Sequence, residues 1–354
     1  MDKKQGLDFL YSSCFGRYFK KDNITDVTFN GIDVFYVDNN LGRIKSDLRF
    51  SQEDARGFIR QLANIAEKQF SIASPNLDIT IGKFRINAMH QSLGRADDEQ
   101  VITFSIRIAS EKIRIYEDDD FLTSEIKELF DVLMISHQSV VIGGLPGTGK
   151  TELQKYLLTR LPKDQRVIVV DNVSELETVR DYTDYDLTMW QYNENNNNAS
   201  LPMLIKAALR NMPDWLILAE GRGKEMLDIL NSAVTGLPIV TTLHSFDAHS
   251  IPIRMARLVM QNEENNRYED ILSDIKYHFR YYVYLKKDKE PSGKVKRYIA
   301  SIMHLDPTGK ETLIYSDDLE KKRYGKIDRD SLMLLKIKRN QTAFIKYFIG
   351  EKHE

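Results

Sequence analysis

The sequence predicts an α/β fold: a parallel sheet covered by helices on both faces and carrying a phosphate loop, preceded by a small α+β domain. Three observations predict it. Residues 143–151, Gly-Gly-Leu-Pro-Gly-Thr-Gly-Lys-Thr, fit the spacing G-x-x-x-x-G-K-[ST] and stand between a short apolar run and a helical segment. Four continuous apolar runs, Val140-Val141-Ile142, Val167-Ile168-Val169-Val170, Trp215-Leu216-Ile217-Leu218 and Ile239-Val240-Thr241, are separated by helical stretches, as strands buried on both faces are. Upstream of the acidic segment Glu117-Asp118-Asp119-Asp120 the apolar residues alternate with period two instead, which marks a different kind of sheet.

In chain order, residues 7–19 place Leu7, Leu10, Phe15, Tyr18 and Phe19 among basic residues, a helix that packs on its own domain or touches anionic lipid. Residues 26–31 and 33–37 read as a hairpin around Asn30-Gly31, since this dipeptide tolerates positive φ. Ser51 is an N-cap with Asp54 in the first turn, and Phe58, Ile59, Leu62, Ile65 and Ala66 recur at helical spacing. Strands follow at 77–81, 84–88 and 101–108, with a solvated acidic loop around Asp97, Asp98 and Glu99. The expected division is an N-terminal α+β domain over 1–112, a linker and capped helix over 113–136, and an α/β domain over 137–354.

Within the last of these, helices are expected at 152–161, 201–212 and 226–234, ended by Pro162, Pro213 and Gly236. The polar run 193–198 reads as a loop. Residues 277–285 and 298–302 read as paired strands around a loop near Pro291, an amphipathic edge hairpin. Its tyrosines, interleaved with Arg280, Lys286 and Lys287, also fit single-stranded nucleic acid, a reading the hairpin makes unnecessary. The apolar residues from Leu332 to Phe348 predict one or two docking helices.

Composition narrows the class. Fifty Lys+Arg against 52 Asp+Glu give no polyanion-binding signature, so direct nucleic-acid binding is not expected. A single cysteine, Cys14, excludes an intrachain disulfide framework and a cysteine-based zinc site, and suits a reducing cytoplasm. No apolar run approaches the ~18 residues that span a bilayer, and the N-terminus lacks a signal-peptide core, so any membrane role is expected to be peripheral.

The chemistry is expected where the strands end, because ligands of open parallel sheets bind beyond the carboxyl edge. Gly144, Pro146, Gly147, Thr148, Gly149, Lys150 and Thr151 form the phosphate cradle, with Lys150 on the β/γ-phosphates and Thr151 on Mg2+. Glu220 ends the third run and is placed to hold the Mg2+ shell or polarise the attacking water. Asp171 or Glu175, beyond the second run, shares the water-activating role, and His244, beyond the fourth, contacts or senses the γ-phosphate. ATP and Mg2+ are the expected cofactors.

These residues also carry a resemblance. Residues 209–214, Leu-Arg-Asn-Met-Pro-Asp, leading into Ala219-Glu220-Gly221-Arg222-Gly223 and Glu225, resemble the signature of the secretion ATPase superfamily, the motors of type II and type IV secretion and pilus assembly. Residues 170–176 resemble its Asp box, 241–245 its His box, and residues 24–31 with Ser105-Ile106-Arg107 its N-terminal domain. The resemblance implies a RecA-like P-loop NTPase core and a homohexamer that binds nucleotide between its two domains. It further implies a cytoplasmic motor, peripheral at the membrane, that works with inner-membrane components of a secretion or pilus machine. By motif position it makes Glu220 the Walker B glutamate, His244 the His-box histidine and Arg222 the adjacent arginine, with Arg107 and Arg85 reaching the nucleotide from the first domain.

The chain departs from the family where Asp171-Asn172 stands for Glu-Asp, Gly236-Leu237 for Gly-His, and Gln191 for an arginine, departures that point to slow turnover. The missing four-cysteine motif and retraction-motor helix point to the type IV secretion (conjugation) or tight-adherence branches, the former favoured by the compact N-terminal domain. The alternatives are a DNA-translocating motor and a nucleotide-bound scaffold that does not hydrolyse.

Overall fold

A computed structural model describes residues 3–171, 175–192, 199–221, 223, 225–261 and 267–349. The chain divides into two compact units, Met1–Glu111 with Lys289–Lys296, and Lys112–Asp288 with Arg297–Glu354. Among the described residues no helix is long and apolar enough to cross a membrane.

The first unit is an antiparallel sheet with helices on one face. Its strands are β1 (Ile24–Phe29), β2 (Val34–Asp38), β3 (Gly42–Lys45), β4 (Asn76–Ile81), β5 (Phe84–Met89) and β8 (Thr103–Ile108), in the order β3-β2-β1-β8-β5-β4. A minor ladder of β6 (Arg95–Ala96) and β7 (Glu99–Gln100) encloses the acidic turn, where Asp97 and Asp98 take positive φ. Period-two patterning sets the faces: Phe104, Ile106 and Ile108 of β8 point into the core, while Arg107 is exposed. The hairpin turns through four residues, with Asn30 Oδ1 accepting the N–H groups of Ile32 and Asp33 and Gly31 at φ +101°, rather than through Asn30-Gly31 alone.

Residues 7–19 form two helices, α1 (Lys3–Ser12) and α2 (Gly16–Phe19), not one. Leu10, Phe15, Tyr18 and Phe19 are buried in the unit's own core, which leaves the lipid reading without its apolar face. The third helix, α3 (Gln52–Ile65), starts as expected at Ser51, in a reciprocal capping box with Asp54.

The second unit is organised by a nine-stranded sheet. Its strands are β9 (Val140–Gly144), β10 (Arg166–Asp171), β11 (Asp186–Gln191), β12 (Trp215–Leu218), β13 (Ile239–Leu243), β14 (Tyr281–Lys289), β15 (Val295–Leu305), β16 (Glu311–Asp317) and β17 (Lys322–Tyr324). Their order is β11-β10-β12-β13-β9-β14-β15-β16-β17, and the pairs from β11 through β14 are all parallel. Alternate residues of the continuous apolar runs serve two cores: Val140, Ile142, Val167, Val169, Trp215 and Ile217 on one face, Val141, Ile168, Val170, Leu216 and Leu218 on the other. The first face is covered by α4 (Ser124–Ile135) and α5 (Lys150–Thr159), the second by α6 (Leu201–Leu209), α7 (Met226–Val234), α8 (Ser250–Met260) and α9 (Tyr268–His278). Thr123 stands at the cap of α4 without a side-chain capping bond.

One expectation changes here and another is met with shorter helices. The 281–289 segment is not an edge: β14 lies between β9 and β15, and Tyr281, Tyr282 and Tyr284 are buried, so they offer no stacking platform to nucleic acid. The tail holds only short helices, α10 (Arg329–Leu332) and α11 (Thr342–Phe344), continued by one π-turn stretch over Ile345–Ile349. It nevertheless docks, with Leu335, Phe344 and Phe348 in the same core as α4. Asn172 and residues 193–198 lie outside the described residues.

Candidate nucleotide site

The site lies at the carboxyl edge of the parallel strands. β9 delivers the chain into the phosphate loop, and α5 leaves it at Gly149, whose φ of +98° is strained for any residue with a Cβ. Gly147 is also left-handed at φ +75°. At Gly144 space decides, since a Cβ would lie 2.8 Å from the Leu285 carbonyl and 2.7 Å from Thr148 Oγ1. Thr148, almost fully buried, donates from Oγ1 to the Leu145 carbonyl at 2.8 Å. Gln154 anchors the helix from below: buried completely, its Nε2 donates to the Leu218 carbonyl at 2.8 Å and the Val240 carbonyl at 3.2 Å.

The structure brings three of the expected residues together from three strand ends. Lys150 Nζ donates to the Gly144 carbonyl at 3.0 Å and the Leu145 carbonyl at 3.3 Å, and lies 3.3 Å from His244 Nδ1. On the other side of the ring, His244 Nε2 lies 2.9 Å from Glu220 Oε1. The loops carrying them are knitted by backbone-directed bonds: Thr242 Oγ1 donates to the Ala219 carbonyl at 2.6 Å, and the Gly221 N–H to the Thr242 carbonyl at 2.8 Å. Thr151 sits in the first turn of α5, half-buried.

The other candidates stand differently. Asp171 is buried at the end of β10, where Oδ2 accepts the Leu176 N–H at 3.3 Å and so caps the 3-10 helix Glu175–Tyr182. Glu175 opens that helix, half-buried. Arg222 lies outside the described residues, while next to it Glu225 Oε1 accepts the Gly223 N–H at 2.8 Å. Arg107 and Arg85 belong to the first unit, neighbours across β8 and β5, and each is paired with an aspartate at 3.4 Å: Arg107 with Asp26, Arg85 with Asp78.

Sequence reasoning missed two cations at the loop. Because β14 runs parallel to β9 with Leu285 opposite Gly144, the following residues pass the loop: Lys287 Nζ donates to the Pro146 carbonyl at 3.5 Å. Arg297, on the returning strand, donates from Nε to the Gly147 carbonyl at 2.7 Å. Burial, and then the charge of Arg114, push the Arg297 guanidinium below its ordinary value, with Glu152 working the other way. Glu152 in turn accepts the Arg114 N–H at 2.7 Å and pairs with the buried Lys155 at 3.0 Å.

Fold and loop together define a P-loop α/β protein with a RecA-like core. The family described as "Type II/IV secretion system protein" matches residues 59–276, and the chain belongs to it. An uncharacterised protein of Bacillus anthracis is 29% identical over 300 residues, covering 82% of this chain and 66% of its own length, just under two thirds. A Mycobacterium tuberculosis protein named as a candidate for conjugal transfer is 26% identical over 247 residues, covering 67% of this chain and 70% of its own. The type IV secretion system protein VirB11 of Brucella suis is 31% identical over 132 residues, 36% of either chain. Among solved structures, the Legionella pneumophila ATPase DotB superposes with a TM-score of 0.61 at 17% identity, covering 83% of this chain and 79% of its own. The pilus retraction motor PilT with bound ADP gives 0.54 at 14%, covering 79% and 78%.

Proposed function

We propose that the chain is a Mg2+-dependent ATPase that works as a ring of six at the cytoplasmic face of the membrane and powers substrate transfer in a conjugation-like type IV secretion system. The observation that carries the reading is the meeting of Lys150, His244 and Glu220, from three strand ends, beside a loop whose Gly147 and Gly149 take the positive φ that glycine adopts freely. Membership of the secretion family and the conjugal-transfer and VirB11 relatives support the secretion setting.

The amides of residues 147–151 point the positive end of α5 at the phosphates, and Lys150 exchanges its carbonyl partners for phosphate oxygens. Glu220 orients the attacking water, and His244, touching both Glu220 and the loop, holds the carboxylate at a distance set by the position of Gly144. Thr151 and Glu220 supply hard oxygen donors, which suit an ion that keeps several waters and phosphate oxygens rather than an all-protein cage. When bound, Mg2+ adds positive charge at the phosphates. Asp171 holds the Glu175 helix in place, and Glu175 is the second candidate for contact with the water.

Phosphate release by the purified chain tests this. Lys150→Ala is expected to abolish it, and Glu220→Gln to lower it by about a hundredfold while ATP still binds. Full hydrolysis by Lys150→Ala refutes the reading; tight ATP binding with no turnover by the wild type supports a scaffold. Light scattering with nucleotide checks the ring of six.

A further inference from the structure

We propose that Arg297, assisted by Lys287, is a positioning residue of the phosphate loop: by holding the loop's outer carbonyls it aims the amides of Gly147 and Thr148 at the β-phosphate of a nucleoside di- or triphosphate. This rests on the nucleotide-binding reading above and extends it to residues outside the loop motif.

In a planar trans peptide the carbonyl of one residue and the N–H of the next point in opposite directions, so fixing one fixes the other. Arg297 Nε holds the Gly147 carbonyl at 2.7 Å, which directs the Thr148 N–H to the opposite side. Lys287 Nζ, at 3.5 Å from the Pro146 carbonyl, does the same more weakly for the Gly147 N–H. Such a clamp matters most at glycine, where no Cβ restricts rotation, and Gly147 sits in the left-handed region at φ +75°. Thr148 is fixed a second time by its own hydroxyl bond to the Leu145 carbonyl at 2.8 Å.

The chemistry of the contact adds to its geometry. A hydrogen bond from a guanidinium to a carbonyl is charge-assisted, and it polarises the peptide so that the N–H beyond becomes a better donor. Arg297 is half-buried, with the like charge of Arg114 and the opposite charge of Glu152 both acting on it. The strands that carry the two cations are fixed by the sheet: β14, with Leu285 opposite Gly144, brings Lys287 past the loop, and β15, next to β14 in the strand order, carries Arg297.

The test uses the full chain and a fluorescent ADP analogue displaced by ATP, ADP or adenosine. Arg297→Ala is expected to weaken ATP and ADP by about tenfold and leave adenosine within twofold, because only the phosphates meet the oriented amides. Arg297→Lys keeps a cation and a donor and is expected to fall within about threefold of the wild type; Lys287→Ala is expected to lose about two- to threefold. Tryptophan fluorescence checks folding, and if Arg297→Ala does not fold, Arg297→Lys against Arg297→Gln decides. Unchanged ADP affinity in Arg297→Ala, or in Arg297→Gln where the alanine variant does not fold, or an equal loss for adenosine, overturns the assignment alone. A wild-type chain that binds no nucleotide, or binds equally well with Lys150→Ala, overturns the proposed function with it.

Discussion

The ion pair between Glu152 and Lys155 gives the sharpest stability prediction, because the two partners are unequally buried. Lys155 keeps 2% of its side-chain exposure and Glu152 keeps 16%, with Nζ and Oε1 3.0 Å apart. Replacing Glu152 by Gln leaves the ammonium buried beside a neutral amide. Breaking a buried pair from one side costs roughly 3–5 kcal/mol, and water reaching Glu152 places the expected loss near the lower end, about 3 kcal/mol. The carboxylate also sits in the first turn of α5, which adds a helix-dipole contribution of about 0.5 kcal/mol. Lys155→Met is milder: it keeps most of the stem, and Glu152 retains the Arg114 N–H at 2.7 Å, so about 1 kcal/mol is expected. The double variant should therefore be more stable than Glu152→Gln alone. Both tryptophans, Trp190 and Trp215, belong to the second unit, so urea unfolding followed by fluorescence reports that unit. With a urea slope of about 3 kcal/mol per molar, the midpoint for Glu152→Gln should fall by roughly 1 M. Equal losses from the two single variants, or a double variant no better than Glu152→Gln, would refute the reasoning.

Three further outcomes are expected. Gly144→Ala puts a Cβ 2.8 Å from the Leu285 carbonyl, a backbone atom that cannot swing away, and should lower ATP affinity more than tenfold in the displacement assay. Ser51→Ala removes the capping box of α3 and should cost about 1 kcal/mol, read as faster hydrogen exchange of the 52–65 amides. Near His304, burial pushes the imidazole below its usual value against the pull of Asp328, so the folded state prefers it neutral. For Asp328 burial works upward, but the Ser331 bonds and His304 outweigh it and hold the carboxyl at about 2. For both groups the unfolded chain binds more protons, so stability falls as pH drops, first below 6.5 through the depressed His304 value and again from 3.8 toward 2. His304→Asn should flatten the first fall, measured by midpoint against pH.

Much of this architecture was legible because its causes are local. A run such as Val167-Ile168-Val169-Val170 has no polar face to offer, so it announces a strand covered on both sides, and its alternate residues do serve two cores. Ser51 with Asp54 announces a helix start because the two side chains satisfy each other's backbone groups within four residues. Lys150, Glu220 and His244 could be expected near one another because each follows a strand of the same parallel sheet, and a strand's carboxyl end has only one edge to reach.

What the pattern concealed depends on pairings between distant residues. β14 follows β9 by some 140 residues, and nothing local says that Tyr281 will lie opposite Val140 rather than at a free edge. Nothing local in Lys294-Val295-Lys296-Arg297 points to the phosphate loop; with β15 two strands from β9 in the sheet, Arg297 reaches the Gly147 carbonyl. β11 escaped for a related reason: as the outermost strand, with Leu187 to Trp190 only partly buried, it lacks the apolar run of the interior strands. The same logic separates the arginines. Arg107 and Arg85 were singled out through a likeness in the first unit, where the structure gives each an aspartate partner. Arg297 carries no motif, yet its donor rests on the loop itself, so a loss of phosphate affinity in Arg297→Ala that spares adenosine would assign it by geometry where sequence gave no sign.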